Sequence, residues 1–204
     1  MMRPHLLVTE RPVENLRCAE DIRRLAAAGH GKRLWGLIRL LAGNDAEDDP
    51  LLCDSRFPGR SELHADRANL DWTLCNEVSR RLHRMALAGL LTGERHFADG
   101  AVRQFEALFD EDAWPAWRDG AHAALDADLR TGMLASAAAT AYDWLHPLLD
   151  TERRARVIDG IDRRGIQPYL CALGRGAWWA EADNNWLPVV VGGMGICGMA
   201  LGDA

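Results

Sequence analysis

The sequence predicts an all-α protein. Apolar residues recur at steps of three and four through most of the chain, and no run alternates apolar and polar residues as a half-buried strand does. The predicted helices are about 15 to 20 residues long and most are joined by short turns. Antiparallel helical hairpins are therefore the expected architecture, and a ring, a solenoid or a plain bundle each fits this pattern.

Two helices are predicted before a long irregular stretch. Residues 13–28 are periodic and end at Gly29-His30-Gly31, and residues 32–41 form a second periodic segment that ends at Gly43-Asn44. Residues 44–72 lack helical periodicity, and we expect one long loop there; this stretch carries Asp45, Glu47, Asp48, Asp49, Pro50, Pro58 and Gly59. A loop of this length within a domain is usually functional or mobile.

Five further helices are predicted after residue 72. The first three are marked by apolar stepping at Val78, Leu82, Met85 and Gly89, then Ala98, Val102, Phe105 and Phe109, then Leu134, Ala138, Ala141 and Leu145. Pro147 stops the third helix. The fourth opens at Thr151 and runs to Gly165 or Leu173, and the fifth follows Asn184-Asn185 and runs through Val189 to Leu201. The alanine-rich run of residues 135–141 allows neighbouring helices to approach closely.

Composition excludes several classes of function. The 204-residue chain has a formal net charge of −6 and no Lys/Arg run longer than two, so we expect no nucleic-acid partner. No segment has the roughly 20 apolar residues that a membrane span needs. The chain lacks an N-terminal apolar signal segment, which predicts a cytoplasmic protein if this N-terminus is native. If a signal peptide has been removed, the protein is periplasmic or secreted.

The five cysteines are scattered, and neither a CxxC motif nor zinc-type His/Cys spacing occurs. They are expected to be reduced and mostly buried thiols. The sequence therefore predicts neither a metal site nor a cofactor.

The strongest candidate site combines amides with indoles. Asn184 and Asn185 adjoin Trp186, and Trp178-Trp179 precede them by a few residues. Amides form hydrogen bonds to hydroxyl and carboxylate groups, and indole rings stack on the apolar face of a sugar. These residues are therefore candidates for carbohydrate binding. The alternative for the asparagines is capping of the following helix, and for at least one of the adjacent tryptophans it is packing between helices.

Three other residues are weaker candidates for substrate binding. Arg175 has the charge to pair with a sugar carboxylate, although a solvated arginine at a helix end is an equally simple interpretation. His122 begins a predicted helical segment, and Tyr142 lies at core spacing in its helix. For both residues, packing or surface exposure is the alternative.

Three segments of the chain form a combination typical of a known family: Arg3-Pro4-His5-Leu6-Leu7-Val8-Thr9, Ala141-Tyr142-Asp143-Trp144-Leu145, and Asn184-Asn185-Trp186 followed by Gly192-Gly193-Met194-Gly195. They resemble the N-terminal domain of heparinase II/III-type polysaccharide lyases, to which alginate and oligoalginate lyases are related. The last of the three segments is the most specific, and the resemblance spans nearly the whole chain.

The resemblance implies part of an incomplete (α/α) toroid, with residues 1–204 as a single N-terminal helical domain and a β-sandwich region after it. It implies β-elimination on uronic-acid polysaccharides or oligosaccharides, with Asn184 and Asn185 neutralising the uronate carboxylate. The catalytic base it implies is a tyrosine after residue 204. One position departs from the alginate-lyase pattern, because Trp186 stands where that branch has a histidine. The acidic substrate is therefore left open.

Two other functions fit the residues. An (α/α)-barrel glycoside hydrolase needs two carboxylates at a defined separation, for which Asp128, Asp143 and Asp183 are the candidates. The second is a helical carbohydrate-binding or scaffold module without catalytic power, which needs neither a pair of carboxylates nor a catalytic base.

Overall fold

The computed structural model describes residues 3–61 and 70–202, and this part of the chain is all-α, as predicted. Its α-helices are α1 (Ala19–Ala26), α2 (Gly29–Glu47), α3 (Trp72–Thr92), α4 (Arg95–Phe109), α5 (Leu129–Leu145), α6 (Thr151–Ile161), α7 (Gln167–Gly174) and α8 (Trp186–Leu201). A π-helical segment, Asp162–Ile166, joins α6 to α7. Short 3₁₀ turns lie at Gly120–His122, His146–Leu148 and Trp178–Ala180.

Local sequence explains where several helices begin and end. Three of them start after an aspartate whose side chain accepts a hydrogen bond from a backbone N–H of the first turn: Asp71 before α3, Asp128 before α5 and Asp150 before α6. This is the preferred chemistry for the N-terminal cap of a helix. At the other end of α3, Gly93 adopts the left-handed conformation (φ 74°) that a C-terminal glycine allows.

The prediction of a helix over residues 13–28 is wrong in its first part. Residues 13–18 are extended and turning, and Val8–Thr9 (β1) pairs in parallel with Arg17–Cys18 (β2). Asn15 has a positive φ of 65°, which interrupts a right-handed helix. The helix therefore begins only at Ala19.

The second predicted helix is longer at both ends. Gly29, expected to stop a helix, instead opens α2, and α2 continues through Gly43-Asn44 to Glu47. Tertiary contacts hold this last turn: Ala42 and Ala46 are buried in the core, and the Asp45 carboxylate pairs with the Arg84 guanidinium of α3 at 2.6 Å. These contacts outweigh the low helix propensity of glycine and asparagine.

The predicted loop of residues 44–72 is correspondingly shorter. Residues 44–47 belong to α2, Trp72 opens α3, and residues 62–69 lie outside the described part of the chain. Within residues 48–61 the backbone is irregular but well anchored. The buried Arg60 guanidinium donates to the Asp71 carboxylate at 2.7 Å, and the Leu51 N–H donates to the Gln104 side chain at 2.9 Å.

Helices α3 and α5 run in the same direction. At their N-terminal ends, Arg130 Nε donates to the carbonyl oxygen of Leu70, just before α3, at 3.1 Å. At their C-terminal ends, Gly89 packs against the side chain of Leu145.

Helix α8 is also parallel to α5. Gly132, in the first turn of α5, packs on the backbone of Val190 in the first turns of α8. At the far end, the His5 ring lies 2.7 Å from the carbonyl oxygen of Met199, and the His5 N–H donates to Asp143 at 2.9 Å. The N-terminal ends of α3, α5 and α8 therefore lie at the same end of the domain.

Helices α2, α4 and α6 run the opposite way. The starts of α4 and α6 are joined by the Asp99–Arg153 ion pair at 2.7 Å, and Gly160 near the end of α6 packs on Phe109. Helix α2 runs in the same direction as α4. Arg39, in the middle of α2, pairs with Glu94 just before α4 at 2.8 Å. Further along α4, Arg103 donates to the carbonyl oxygen of Ala46 near the end of α2. Helix direction thus alternates along the chain, and the largely buried α5 packs between α3 and α8.

The N-terminal segment is fixed to the C-terminal end of α5 by the fully buried Asp143. Its carboxylate accepts from the Arg3 guanidinium at 3.0 Å and from the backbone N–H groups of His5 and Leu6, both at 2.9 Å. Trp144 Nε1 donates to the Leu6 carbonyl at 2.8 Å. Two of the segments that carry the family resemblance thus contact each other and stabilise the fold.

Candidate functional site

The candidate site lies at the N-terminal ends of α5 and α8. The 3₁₀ turns Gly120–His122 and Trp178–Ala180 flank these ends and contribute an aromatic row. The His122 ring meets the Trp186 ring edge-on with centroids 5.0 Å apart, and the Trp186 ring lies 4.9 Å from that of Trp178. Residues far apart in the sequence therefore form one partly exposed aromatic surface.

A close approach of two helix backbones brings these ends together. A Cβ atom placed on Gly193 would lie 2.9 Å from the Cα of Gly132, and one placed on Gly132 would lie 2.8 Å from the Cα of Val190. Only glycine fits such a crossing without a shift of the backbone. A Cβ atom placed on Gly192 or Gly195 would meet nothing within 4 Å, so among these three neighbouring glycines it is Gly193 that makes the helix contact.

The paired asparagines are exposed, and their side chains differ in what they bind. Asn184 Oδ1 accepts from the backbone N–H of Trp186 at 2.9 Å, which is a local cap of α8. Asn185 occupies the formal N-cap position, yet its side chain makes no hydrogen bond within residues 3–61 and 70–202. The capping interpretation therefore accounts for Asn184 and leaves the Asn185 amide available to a ligand. The N-terminus of the 16-residue α8 also favours an anion at this position.

The adjacent tryptophans have different environments. The Trp178 side chain is 52% exposed, whereas Trp179 is fully buried and stacks on the Tyr169 ring with centroids 5.8 Å apart. Of this predicted substrate-binding pair, only Trp178 presents its ring to solvent. Trp179 instead belongs to a small core with Ala172 and Val190 that supports the start of α8.

Arg175 is at the edge of the site, beside a shallow hollow of about 230 Å³. The side chains of Trp178 and Asp126 contribute to the same wall. Arg175 NH1 lies 2.9 Å from both carboxylate oxygens of Asp126, and its side chain is 70% exposed. The guanidinium is therefore already paired, through one of its nitrogens.

His122 is held by a buried carboxylate, a contact that the sequence did not predict. His122 Nδ1 lies 2.8 Å from Asp128 Oδ2, and Asp128 is fully buried. The same carboxylate accepts the backbone N–H of Asp119 at 3.0 Å and that of Arg130 at 2.8 Å. The Arg130 guanidinium approaches it to 3.9 Å and binds Asp119 at 2.7 Å. The Asp-Leu-Arg-Thr capping pattern at 128–131 signalled a fixed carboxylate, but nothing in the sequence showed what it would bind.

The structure separates Tyr142 from the other predicted site residues. Tyr142 lies thirteen residues after Leu129 in α5, which corresponds to about 20 Å along the helix. Its side chain is buried, the Arg3 guanidinium lies 5.2 Å from its ring centroid, and burial raises the pKa of Tyr142. Its environment is that of a packing residue beneath the N-terminal segment.

Two of the carboxylates considered for a hydrolase are also far apart. Asp128 and Asp143 are both fully buried, at opposite ends of α5, with fifteen residues or about 22 Å between them. Glycosidases require separations of about 5 to 10 Å. This pair therefore does not form a glycosidase site.

Three other features that would indicate a function are a metal site, a membrane span and a cysteine nucleophile. Residues 3–61 and 70–202 contain no cluster of three or more His, Cys, Asp or Glu side chains that could hold a metal ion. In the same residues no helix is both long and apolar enough to cross a membrane. Burial raises the pKa of the Cys75 thiol, and raises that of Cys197 to about 12, so neither forms a ready nucleophile.

The chain was compared with protein-family models and with curated proteins. Neither comparison found a match. The resemblance to heparinase II/III-type lyases therefore rests on the motifs quoted above and remains a prediction.

Proposed function

We propose that this protein is the helical domain of a polysaccharide lyase that cleaves uronic-acid-containing chains by β-elimination. The observation that carries the proposal is the exposed Asn185 amide, which has no hydrogen bond within the described residues and lies beside Asn184 at the start of α8. Trp186 follows Asn185 in the chain, and its ring lies 4.9 Å from that of Trp178. An acidic sugar offers groups that match these side chains, namely an apolar ring face, hydroxyls and a carboxylate.

Elimination explains why amide donors are needed. Removal of the C5 proton of a uronate places more negative charge on a group that already carries a carboxylate. Hydrogen-bond donors directed at that carboxylate stabilise the enolate-like intermediate, by roughly 3 kcal/mol for each well-placed donor. Asn184 and Asn185 are assigned this role, with the N-terminus of α8 adding a favourable field.

The arrangement of the helices is consistent with part of an (α/α) toroid. Such a ring alternates inner and outer helices of opposite direction, and α2 to α6 alternate in this way, with α8 parallel to α3 and α5. The N-terminal ends of α3, α5 and α8 then lie on one rim. The candidate site is on that rim, where a long acidic polysaccharide has access to it. A β-sandwich region of the same protein, implied by the resemblance, is the other expected partner.

The experiment replaces Asn185 by Ala and measures binding of uronate oligosaccharides by tryptophan fluorescence. We expect affinity for the acidic sugars to fall about tenfold or more, because a hydrogen bond to a charged group is worth about 1.5 to 3 kcal/mol. The exposed Asn44 on α2 provides a matched control, and Asn44→Ala is expected to leave binding unchanged. Equal binding of neutral glucans and uronates by the unaltered protein would contradict carboxylate recognition.

A further inference from the structure

The proposed function leaves one well-built feature of the site unused, the His122–Asp128 pair. Asp128 is fully buried, and its carboxylate is already an acceptor for two backbone N–H groups. The His122 Nδ1, 2.8 Å away, is therefore best assigned as the donor to this carboxylate. This fixes the tautomer of the imidazole and places the lone pair on Nε2.

The protein does not fully enclose the ring of His122. The His122 side chain is 30% exposed, and Nε2 has no hydrogen-bond partner within residues 3–61 and 70–202. The ring contacts Trp186, whose backbone N–H is capped by Asn184. The imidazole thus packs on the residue that directly follows the two asparagines assigned to the carboxylate of the sugar.

We propose that His122 is the general base of the reaction and that Asp128 is the residue that positions it. The inference rests on the proposed lyase function and deepens it. A histidine whose Nδ1–H is held by a buried carboxylate has a fixed tautomer and a fixed orientation, which suits proton transfer at Nε2. In this proposal His122 supplies the base from within residues 1–204, whereas the family resemblance implies a tyrosine after residue 204.

The proposed β-elimination needs no reactant other than the sugar chain and His122. Nε2 takes the C5 proton as the C5–H bond breaks, and the electron pair is delocalised into the carboxylate held by the amides. That pair then forms the C4=C5 double bond while the C4–O bond breaks and its electrons remain on the leaving oxygen. The imidazolium returns its proton to this oxygen. The products are an unsaturated uronate and a shortened sugar chain, and His122 is neutral again.

The test uses the full chain with oligomers of mannuronate, glucuronate and galacturonate. Three quantities are measured: binding by tryptophan fluorescence, exchange of the C5 proton for deuterium by NMR in D₂O, and unsaturated product by ultraviolet absorbance. The variants are His122→Ala, His122→Gln and Asp128→Asn. His96→Gln replaces another histidine, 54% exposed on α4, as the matched control.

For at least one oligomer we expect exchange or elimination that His122→Ala and His122→Gln slow by about 10²-fold or more, the usual worth of a general base. Binding should be retained, and added imidazole should restore part of the rate of the alanine variant. Asp128→Asn should lower the rate with binding retained, and His96→Gln should leave it unchanged. Circular dichroism establishes that each variant is folded.

Two results would overturn the assignment of His122 alone: unchanged rates in the folded His122 variants, or binding of acidic sugars by the unaltered chain with neither exchange nor elimination. In both cases carboxylate recognition by Asn185 stands. No preference for acidic over neutral sugars in the unaltered chain would instead refute the proposed function, and the role of His122 with it.

Discussion

The contact between α5 and α8 gives the sharpest test of the structure. We consider replacement of Gly193 by Ala. The added methyl group would lie 2.9 Å from the Cα of Gly132 and closer still to its carbonyl oxygen. Both atoms belong to the backbone of a buried helix, so no flexible side chain can move aside.

The magnitude follows from two opposing effects. Inserting a methyl group into a well-packed interface costs about 1 to 3 kcal/mol, and a clash with backbone belongs at the upper end. Alanine is favoured over glycine within a helix by about 1 kcal/mol. The net loss of unfolding free energy for Gly193→Ala is therefore about 2 kcal/mol. In a chain of this size, this lowers Tm by roughly 4 to 8 °C.

The control is on the same helix. A methyl group added at Gly195 meets nothing within 4 Å, so Gly195→Ala gains helix propensity without a clash and should stabilise by up to about 1 kcal/mol. Both variants are measured by urea unfolding and thermal melting followed by circular dichroism. If Gly193→Ala were as stable as Gly195→Ala, the crossing of α5 and α8 described above would be wrong, and with it the geometry of the site.

Two further predictions concern the C-terminal end of α5. Asp143→Ala should cost about 3 to 5 kcal/mol in urea unfolding, because it leaves the buried Arg3 guanidinium and two backbone N–H groups unpaired. The exposed Asp112 is the comparison, and a similar small effect at both positions would refute this role. Burial, aided by the charges of nearby arginines, lowers the pKa of His146 from 6.5 to about 4. The unfolded chain therefore binds more protons between these pH values, so stability falls as pH falls through this window. His146→Gln should flatten the decline in Tm from about pH 7 to pH 4, and an unchanged decline would contradict it.

The sequence determined the fold class because an amphipathic helix is recognisable from the spacing of apolar residues along a short segment. The helices at α3, α4 and α5 were predicted from apolar residues three and four positions apart, and the structure buries all of those positions except the half-buried Phe109. The end of α3 at Gly93 was also readable, since it depends on the chemistry of a single residue near the helix end. Such signals require only a few neighbouring residues.

Where tertiary contacts opposed the local pattern, the helix boundaries predicted from the sequence were wrong. Gly43-Asn44 is a reasonable helix end, yet α2 continues because Ala46 is buried and Asp45 pairs with Arg84. The energy of burial and ion pairing comes from residues tens of positions away, and a local pattern does not contain it. The prediction of a helix from residue 13 failed similarly, because Arg17–Cys18 pair with the first strand.

The same distinction between local sequence and tertiary packing applies to the candidate site. The sequence alone pointed to Asn184, Asn185 and the neighbouring tryptophans, because an unusual group of side chains is visible within a short segment. It did not separate the exposed Trp178 from the buried Trp179, which depends on how the 3₁₀ turn packs.

Only the tertiary structure brought His122 to Trp186, sixty-four positions later in the chain, and joined it to Asp128. That proximity arises from the crossing of α5 and α8 at Gly132 and Gly193, where two backbones meet because neither residue has a side chain. A glycine-rich motif shows in the sequence that close contact is possible. The partner of each glycine is decided by the packing of the whole domain.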